Sequence, residues 1–213
     1  MFDAVIFDLD GTLIDSEAVG IATGIAAFGL HGYEVTAELF HRMVGLDMAS
    51  GETVLRAALG ADLPLARIKA DWFALTRARF LDEGVPLRPG AAELLGHLTA
   101  AGHRLAVATS SRREAAEWKL TQAGLREHFE TVVALECIAR PKPAPDPFLE
   151  AARRLGAAPA RCLAFEDSDT GAAAARAAGM TVVQVPDQVP TAGHHATLVA
   201  TDLMSAARSL GLV

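Results

Sequence analysis

The apolar positions of the chain fall into short continuous runs, separated by longer stretches with helical spacing. Five runs are rich in apolar and β-branched residues: 4–8, 104–109, 131–135, 162–166 and 181–185. Each run is nearly continuous in apolar residues instead of alternating, which predicts strands covered on both faces. A weaker run at 197–200 predicts an additional edge strand.

Helical patterns separate the last four of these runs. They cover residues 112–123, 146–155 and 171–178, and a closing helix is predicted near 202–209. Strands that alternate with helices build a parallel, doubly wound sheet. The pattern therefore predicts an α/β fold in which helices cover a parallel sheet.

The segment between the first two runs has a different pattern. Residues 16–82 show helical spacing alone, and about 65 residues of helix are too many for one crossover connection. We therefore expect a small helical domain inserted into the sheet domain. The core domain would comprise residues 1–15 and 83–213, with connections at 15–17 and 82–90.

Composition and charge narrow the functional classes. The chain is 51% hydrophobic, which is enough for a full core, and its net charge is −7. Without a cluster of Lys and Arg, binding to nucleic acid or to an anionic membrane is disfavoured. No basic leader or membrane-length apolar run is present at the sequence level, and no obligate protein partner is evident, so we expect a soluble cytoplasmic protein. Cys137 and Cys162 are predicted to be buried free thiols.

Polar residues stand at the carboxyl ends of several predicted strands, where open α/β sheets bind ligands. They are Asp8 and Asp10, Thr109 and Ser110, Lys142, and Glu166 and Asp167. The Asp–Gly step after the first strand is also typical of an exposed turn. However, carboxylates that converge in a cleft repel one another unless a cation offsets their charge, and such oxygen ligands suit Mg²⁺.

Two further segments each allow two interpretations. Lys142 lies in the proline-rich segment 139–148, which predicts a stiff, extended loop. It is either a solvated surface lysine or a fixed cation opposite the acids, and its position favours the second. Thr109, Ser110 and Ser111 can cap a helix or bind phosphate at its N-terminus, and local sequence weights these equally.

Four ordered motifs carry a resemblance to a known family. They are DLDGTLID from residue 8, VATSS from 107, KPAPDPF from 142, and FEDSDTG from 165, the last followed by AARAAGM. Together they are similar to the motifs of the haloacid dehalogenase-like (HAD) superfamily. The resemblance implies a Rossmann-like three-layer core with a parallel sheet, and it implies that the inserted helices form an α-helical cap.

The resemblance also implies roles for individual residues. Asp8 would be the nucleophile that forms an aspartyl-phosphate, and Asp10 the general acid/base. Lys142 would steady the nucleophile and the phosphate. The implied phosphate-binding residues are Leu9, Thr109 and Ser110. Ser111 and Arg112 are candidates for a second phosphate or a sugar hydroxyl because of their proximity to Thr109, and not because of the resemblance.

The implied cofactor is Mg²⁺, held between the carboxylates that follow the first and fourth strands. Its ligands would be Asp8, the backbone carbonyl of Asp10, and Asp167, with Glu166 close by. The expected function is a Mg²⁺-dependent phosphatase for a small phosphomonoester, with sugar phosphates among the candidates. The second aspartate of the DLD motif disfavours dehalogenase chemistry, which in this superfamily proceeds without it.

Two alternatives remain open. A phosphosugar mutase of the β-phosphoglucomutase type has similar core motifs, but Gly20 and Met48 stand where its cap histidine and arginine are expected. A non-catalytic binding protein on the same scaffold is disfavoured, because all the key side chains are present.

Substrate selection is expected to lie in the cap, where the sequence is least informative. The loop at 44–50 and the first helix would face the site. The polar candidates are His31, Arg42, Asp47 and Ser50, although for each a solvated helix face is the favoured interpretation.

Overall fold

A parallel sheet organises the larger part of the chain. The computed structural model describes residues 2–43, 48–187 and 189–213. Its six strands lie in the order β3-β2-β1-β4-β5-β6, and every neighbouring pair is parallel. They are β1 Ala4–Phe7, β2 Arg104–Ala108, β3 Thr131–Val133, β4 Cys162–Glu166, β5 Thr181–Gln184 and β6 Leu198–Val199. The predicted α/β class is confirmed. Strands β2 and β3 are added on one side of β1, and β4, β5 and β6 are added on its other side.

Helices connect the strands and form the inserted segment. They are α1 Glu17–Leu30, α2 Ala37–His41, α3 Met48–Leu59, α4 Leu65–Glu83, α5 Ala91–Ala100, α6 Arg113–Gln122, α7 Asp146–Arg154, α8 Asp169–Ala177 and α9 Leu203–Ser209. The chain divides into two compact units, Met1–Asp15 with Val85–Val213, and Ser16–Gly84. The second unit contains α1 to α4. It extends to Gly84 because α4 continues through Glu83.

The sheet of the larger unit is buried on both faces. Ala4 and Ile6 of β1 pack in a cluster with Phe148 and Ala151 of α7. Val5, the residue between them, points to the opposite face and is also fully buried. Coverage on both faces explains why the strands read as continuous apolar runs.

The helical unit has an aromatic core of its own. The rings of Phe28, Phe40 and Trp72 meet edge to face, and the Trp72 Nε1 donates to the Gly20 carbonyl at 2.8 Å. A Cβ at Gly24 would lie 2.8 Å from the Phe40 ring, so glycine allows this close packing. Trp72 is therefore a packing residue of this unit.

Several elements differ from the sequence prediction. Helix α5 was missed, although its buried residues Ala91, Leu94, Leu95 and Leu98 have helical spacing. The third strand was predicted to run to residue 135, but a 3-10 turn begins there. Both cysteines are free, as predicted, but Cys137 is only half-buried.

The proline-rich segment is also more compact than predicted. The Ala144 N–H donates to the Pro141 carbonyl at 2.9 Å, so Lys142 lies in a turn instead of an extended loop. Prolines in this position restrict the backbone of the turn. In the part of the chain that the structure describes, no helix has both the length and the hydropathy to span a membrane.

Candidate active site

The first strand leads into an aspartate that is almost fully buried. β1 ends at Phe7, and the Asp8 N–H continues the strand pairing by donating to the Phe165 carbonyl at 2.9 Å. Gly11 then turns the chain with a φ of 86°, a conformation that a side chain would strain. Leu9 is fully buried, so any contact with phosphate would come from its backbone.

The Lys142 ammonium is buried between two carboxylates. Its Nζ donates to Asp8 Oδ1 and to Glu166 Oε1, each at 2.5 Å. The Phe148 ring centroid lies 5.0 Å from the same Nζ, close enough for a cation–π interaction. Lys142 is therefore a fixed cation within the acidic site, which excludes the solvated surface lysine.

Burial and charge shift the protonation of this pair. Burial raises the pKa of Asp8 to about 7, and the nearby charges of Glu166 and Asp10 add to the effect, while Lys142 opposes it. Burial alone would lower the pKa of Lys142, but the charges of Asp8 and Glu166 outweigh it and raise the pKa above its ordinary value. Lys142 is therefore a permanent cation in this site.

Glu166 is held from both sides by protein donors. Besides Lys142, its second oxygen accepts the N–H groups of Asp167 and Ser168 at 3.2 and 3.3 Å, and the Ser168 hydroxyl at 3.1 Å. A Cβ at Gly171 would lie only 1.9 Å from Glu166 Oε1. Glycine at this position of α8 therefore leaves the space that the Glu166 carboxylate fills.

Three carboxylates form a set that fits a divalent cation. Asp8, Glu166 and Asp167 each offer an oxygen, and these atoms lie within 4.8 Å of one another. A Cβ at Gly11 would lie 2.5 Å from Asp167 Oδ2, so the glycine turn leaves room for this carboxylate. Hard oxygen donors of this kind suit Mg²⁺. Because Glu166 is already bound by several donors, Asp8 and Asp167 are the better direct ligands.

Asp10 belongs to a different set of contacts. The Ser111 hydroxyl donates to Asp10 Oδ2 at 2.7 Å, and the Lys119 ammonium donates to Asp10 Oδ1 at 2.6 Å. Lys119 was missed by sequence analysis, because a lysine in the middle of a helix usually points to solvent. Its side chain is only 17% exposed.

The hydroxyl segment after β2, which comprises Thr109, Ser110 and Ser111, does not cap the following helix through its side chains. The N-cap of α6 is Arg112, which makes no side-chain cap, and the Thr109 hydroxyl instead accepts the Ser111 N–H at 3.0 Å. Thr109 is almost fully buried, whereas Ser110 and Arg112 are exposed. The capping interpretation was therefore wrong, and Thr109 and Ser111 line the edge that carries Asp8 and Asp10.

The polar candidates of the helical unit are described within that unit. His31 Nε2 lies 2.7 Å from Asp71 Oδ2, so His31 has a partner on α4. Arg42 is exposed and Ser50 is half-buried. Asp47 and the 44–47 part of the predicted loop lie outside the described residues.

The close approach of Gly171 to Glu166 generates a first prediction. Gly171→Ala should displace the Glu166 carboxylate and with it Lys142. The phosphoester hydrolysis expected from the sequence should then fall by about 100-fold, the scale of a misplacement of about 1 Å in an active site. Steady-state kinetics on the folded variant provide the measurement.

Gly96→Ala is the matched control, because a Cβ at this helical glycine of α5 would have no atom within 4 Å. It should retain full activity. An active Gly171→Ala enzyme would contradict the positioning role of this glycine.

The raised pKa of Asp8 generates a second prediction. Between about pH 4 and pH 7, and without a divalent cation, Asp8 keeps its proton in the folded protein, whereas the same residue in the unfolded chain has already released it. The contribution of this group to the free energy of unfolding therefore falls as the pH rises through that window. Asp8→Asn removes this titration. The free energy of unfolding of the variant, measured relative to wild type, should therefore increase by about 2 kcal/mol when the pH is raised from 5 to 8.

Urea unfolding in a chelator at the two pH values measures this difference. Gly96→Ala, which replaces no ionisable group, should show a constant difference from wild type. Parallel stability curves for Asp8→Asn and wild type would show that Asp8 titrates as an ordinary aspartate.

Comparison with known proteins gives consistent matches over most of the chain. Residues 2–179 match the family model of the haloacid dehalogenase-like hydrolases. The chain is 35% identical over 190 residues to the fructose-1-phosphate phosphatase YqaB of Escherichia coli, covering 86% of this chain and 96% of that protein. It is 37% identical over 198 residues to protein CbbY of Rhodobacter capsulatus, covering 87% and 86%.

Solved structures show the same fold. A CbbY variant from Rhodobacter sphaeroides in complex with xylulose-1,5-bisphosphate matches with a TM-score of 0.81 and 28% identity, covering 95% of each chain. A putative β-phosphoglucomutase from Thermotoga maritima matches with a TM-score of 0.77 and 27% identity, covering 93% of this chain and 94% of that one.

These matches confirm the resemblance that the four motifs indicated, and with it the Rossmann-like core. The predicted enzyme class, a phosphoric monoester hydrolase, is confirmed by the family model together with the phosphatase relatives. The chain belongs to the haloacid dehalogenase-like hydrolase family.

Proposed function

We propose that the chain is a Mg²⁺-dependent phosphatase that hydrolyses a small phosphomonoester through a phosphorylated Asp8. The observation that carries the proposal is the buried Lys142 ammonium, which bridges Asp8 and Glu166 beside Asp167. This arrangement supplies a nucleophile and a fixed positive charge. Asp10 provides a second carboxylate for proton transfer.

The reaction is proposed to proceed in two displacements at phosphorus. In the first, an Asp8 carboxylate oxygen bonds to phosphorus while the bond to the ester oxygen breaks, and Asp10 gives its proton to the departing alcohol. In the second, water attacks the same phosphorus and gives a proton to Asp10. Inorganic phosphate leaves, and Asp8 is restored as a carboxylate.

Other residues of the chain support this chemistry electrostatically. Lys142 donates to Asp8 in the resting state and is placed to donate to the phosphoryl oxygens as their charge shifts. The Thr109 hydroxyl and the exposed Ser110 follow β2, the strand that pairs with β1. A Mg²⁺ bound by Asp8 and Asp167 would supply charge neutralisation for the phosphoryl group.

The substrate class is proposed from the relatives. YqaB is named for fructose-1-phosphate, and the CbbY variant was crystallised with xylulose-1,5-bisphosphate. A phosphorylated sugar or a similar small metabolite is therefore the proposed substrate. Arg112 is exposed directly after the hydroxyl segment, and we propose it, with Ser111, as a contact for the polar remainder of the substrate.

The helical unit is proposed to select that substrate. Its segment, Ser16–Gly84, is inserted shortly after Asp8 and Asp10, as in the helical-cap branch that the motifs resemble. Opening and closing of such a domain admits substrate and excludes water.

The mutase alternative is not favoured. The mutase-named match from Thermotoga maritima is a solved structure at 27% identity, whereas YqaB carries a phosphatase name at 35% identity. In addition, Gly20 has no side chain at the position where the mutase branch has its cap histidine.

The proposal predicts the outcome of one substitution. Asp8→Asn removes the attacking oxygen charge, so phosphate release should fall by about a thousandfold or more, since no other nucleophile replaces it. The measurement is inorganic phosphate release from a panel of sugar phosphates and other small phosphomonoesters. Wild type is assayed with Mg²⁺ and with a chelator.

The exposed substitution Asp62→Asn is the matched control and should retain wild-type rates. Substantial turnover by Asp8→Asn, or equal rates of the wild type with Mg²⁺ and with a chelator, would overturn the proposed mechanism.

A further inference from the structure

Lys119 reaches the site from the middle of a neighbouring helix. It lies on α6, which begins at Arg113 just after the hydroxyl segment. Side chains on a helix tilt toward its N-terminus, and this tilt directs Lys119 back toward the carboxyl ends of the strands. Its Nζ donates to Asp10 Oδ1 at 2.6 Å.

The two oxygens of Asp10 are held by two different donors. Oδ1 accepts from Lys119, and Oδ2 accepts from the Ser111 hydroxyl at 2.7 Å. Ser111 is itself fixed, because its N–H donates to the Thr109 hydroxyl and its carbonyl accepts the Leu135 N–H, both at 3.0 Å. Contacts to both oxygens restrict the rotation of the carboxylate as well as its position.

Asp10 is not a member of the carboxylate set that fits a divalent cation. Asp10 is only two residues from Asp8, yet the set of carboxylates within 4.8 Å comprises Asp8, Glu166 and Asp167 among the described residues. Lys142 bridges two members of that set. Two ammonium groups thus divide the acids into a cation-binding set and a separately held carboxylate.

We propose that Lys119 is a positioning residue for Asp10 that keeps its carboxylate out of the cation-binding set and directed toward the departing oxygen of the substrate. This inference rests on the proposed function. An ion pair at an exposed surface is worth little, but this one is largely buried, with side chains 17% and 29% exposed. Its second donor, Ser111, gives it a defined geometry.

The dependence of rate on the leaving group tests the proposal. A misplaced Asp10 should slow the hydrolysis of esters whose alcohol needs a proton to depart. Hydrolysis of p-nitrophenyl phosphate should be less affected, because it releases a stable phenolate that needs no proton. Lys119→Met should therefore lower kcat/KM for an alkyl phosphate at least tenfold more than for p-nitrophenyl phosphate. Lys119→Arg, which keeps the charge, should restore part of the difference.

Two further variants separate positioning from general damage. Asp10→Asn should show the same selective loss, and adding Lys119→Met to it should cause no further selective loss, because both act through one carboxylate. Lys69→Met, at a partly exposed lysine of α4 whose partner is Glu52, should leave the ratio unchanged. Equal losses for the two esters, or an unchanged ratio in Lys119→Met, would overturn the proposal.

A crystal structure of Lys119→Met gives a result that does not depend on turnover. The Asp10 carboxylate should leave the Ser111 hydroxyl; if it stays in place, the positioning role is wrong. Absence of hydrolysis of both esters by wild type would instead refute the proposed phosphatase, while the position of Asp10 in the variant would still decide the role of Lys119.

Discussion

The site depends on one buried ammonium group. Removing a charge from water is costly unless partners offset it, and Lys142 meets this requirement with Asp8 and Glu166 at 2.5 Å each. The partners must in turn be held. Glu166 is fixed by the N–H groups of Asp167 and Ser168, just before α8, and by the Ser168 hydroxyl. Gly171 provides the space that this carboxylate occupies.

Charge in the site is organised by two lysines with different tasks. Lys142 lies with the carboxylates that fit a divalent cation, and Lys119 holds the separate carboxylate of Asp10. The arrangement explains why a short acidic motif can supply two chemical roles. Asp8 is proposed to bond to phosphorus, whereas Asp10 is proposed to carry a proton. Each role needs its own electrostatic partner, and the fold brings these partners from separate elements.

Sequence analysis identified the features that local chemistry determines. The continuous apolar runs marked the strands, and the strand ends marked Asp8, Asp10, Lys142 and the acids after β4. It missed α5, although Leu94, Leu95 and Leu98 carried a readable spacing. It also missed Lys119, for a physical reason: a half-buried lysine on a helix has the same local sequence as a solvated one. Only tertiary packing shows which direction such a side chain takes, as it also shows that Thr109 does not cap α6.

The central claim is that Asp8 carries the phosphoryl group between the two displacements. Rapid acid quench during turnover, followed by borohydride reduction and peptide mass spectrometry, tests it directly, because an aspartyl-phosphate is reduced to homoserine. The account predicts homoserine at position 8 when substrate is present and aspartate at position 8 when it is absent. Position 10 should remain aspartate in both samples. Reduction at Asp10 or at another carboxylate would contradict the assignment of the nucleophile.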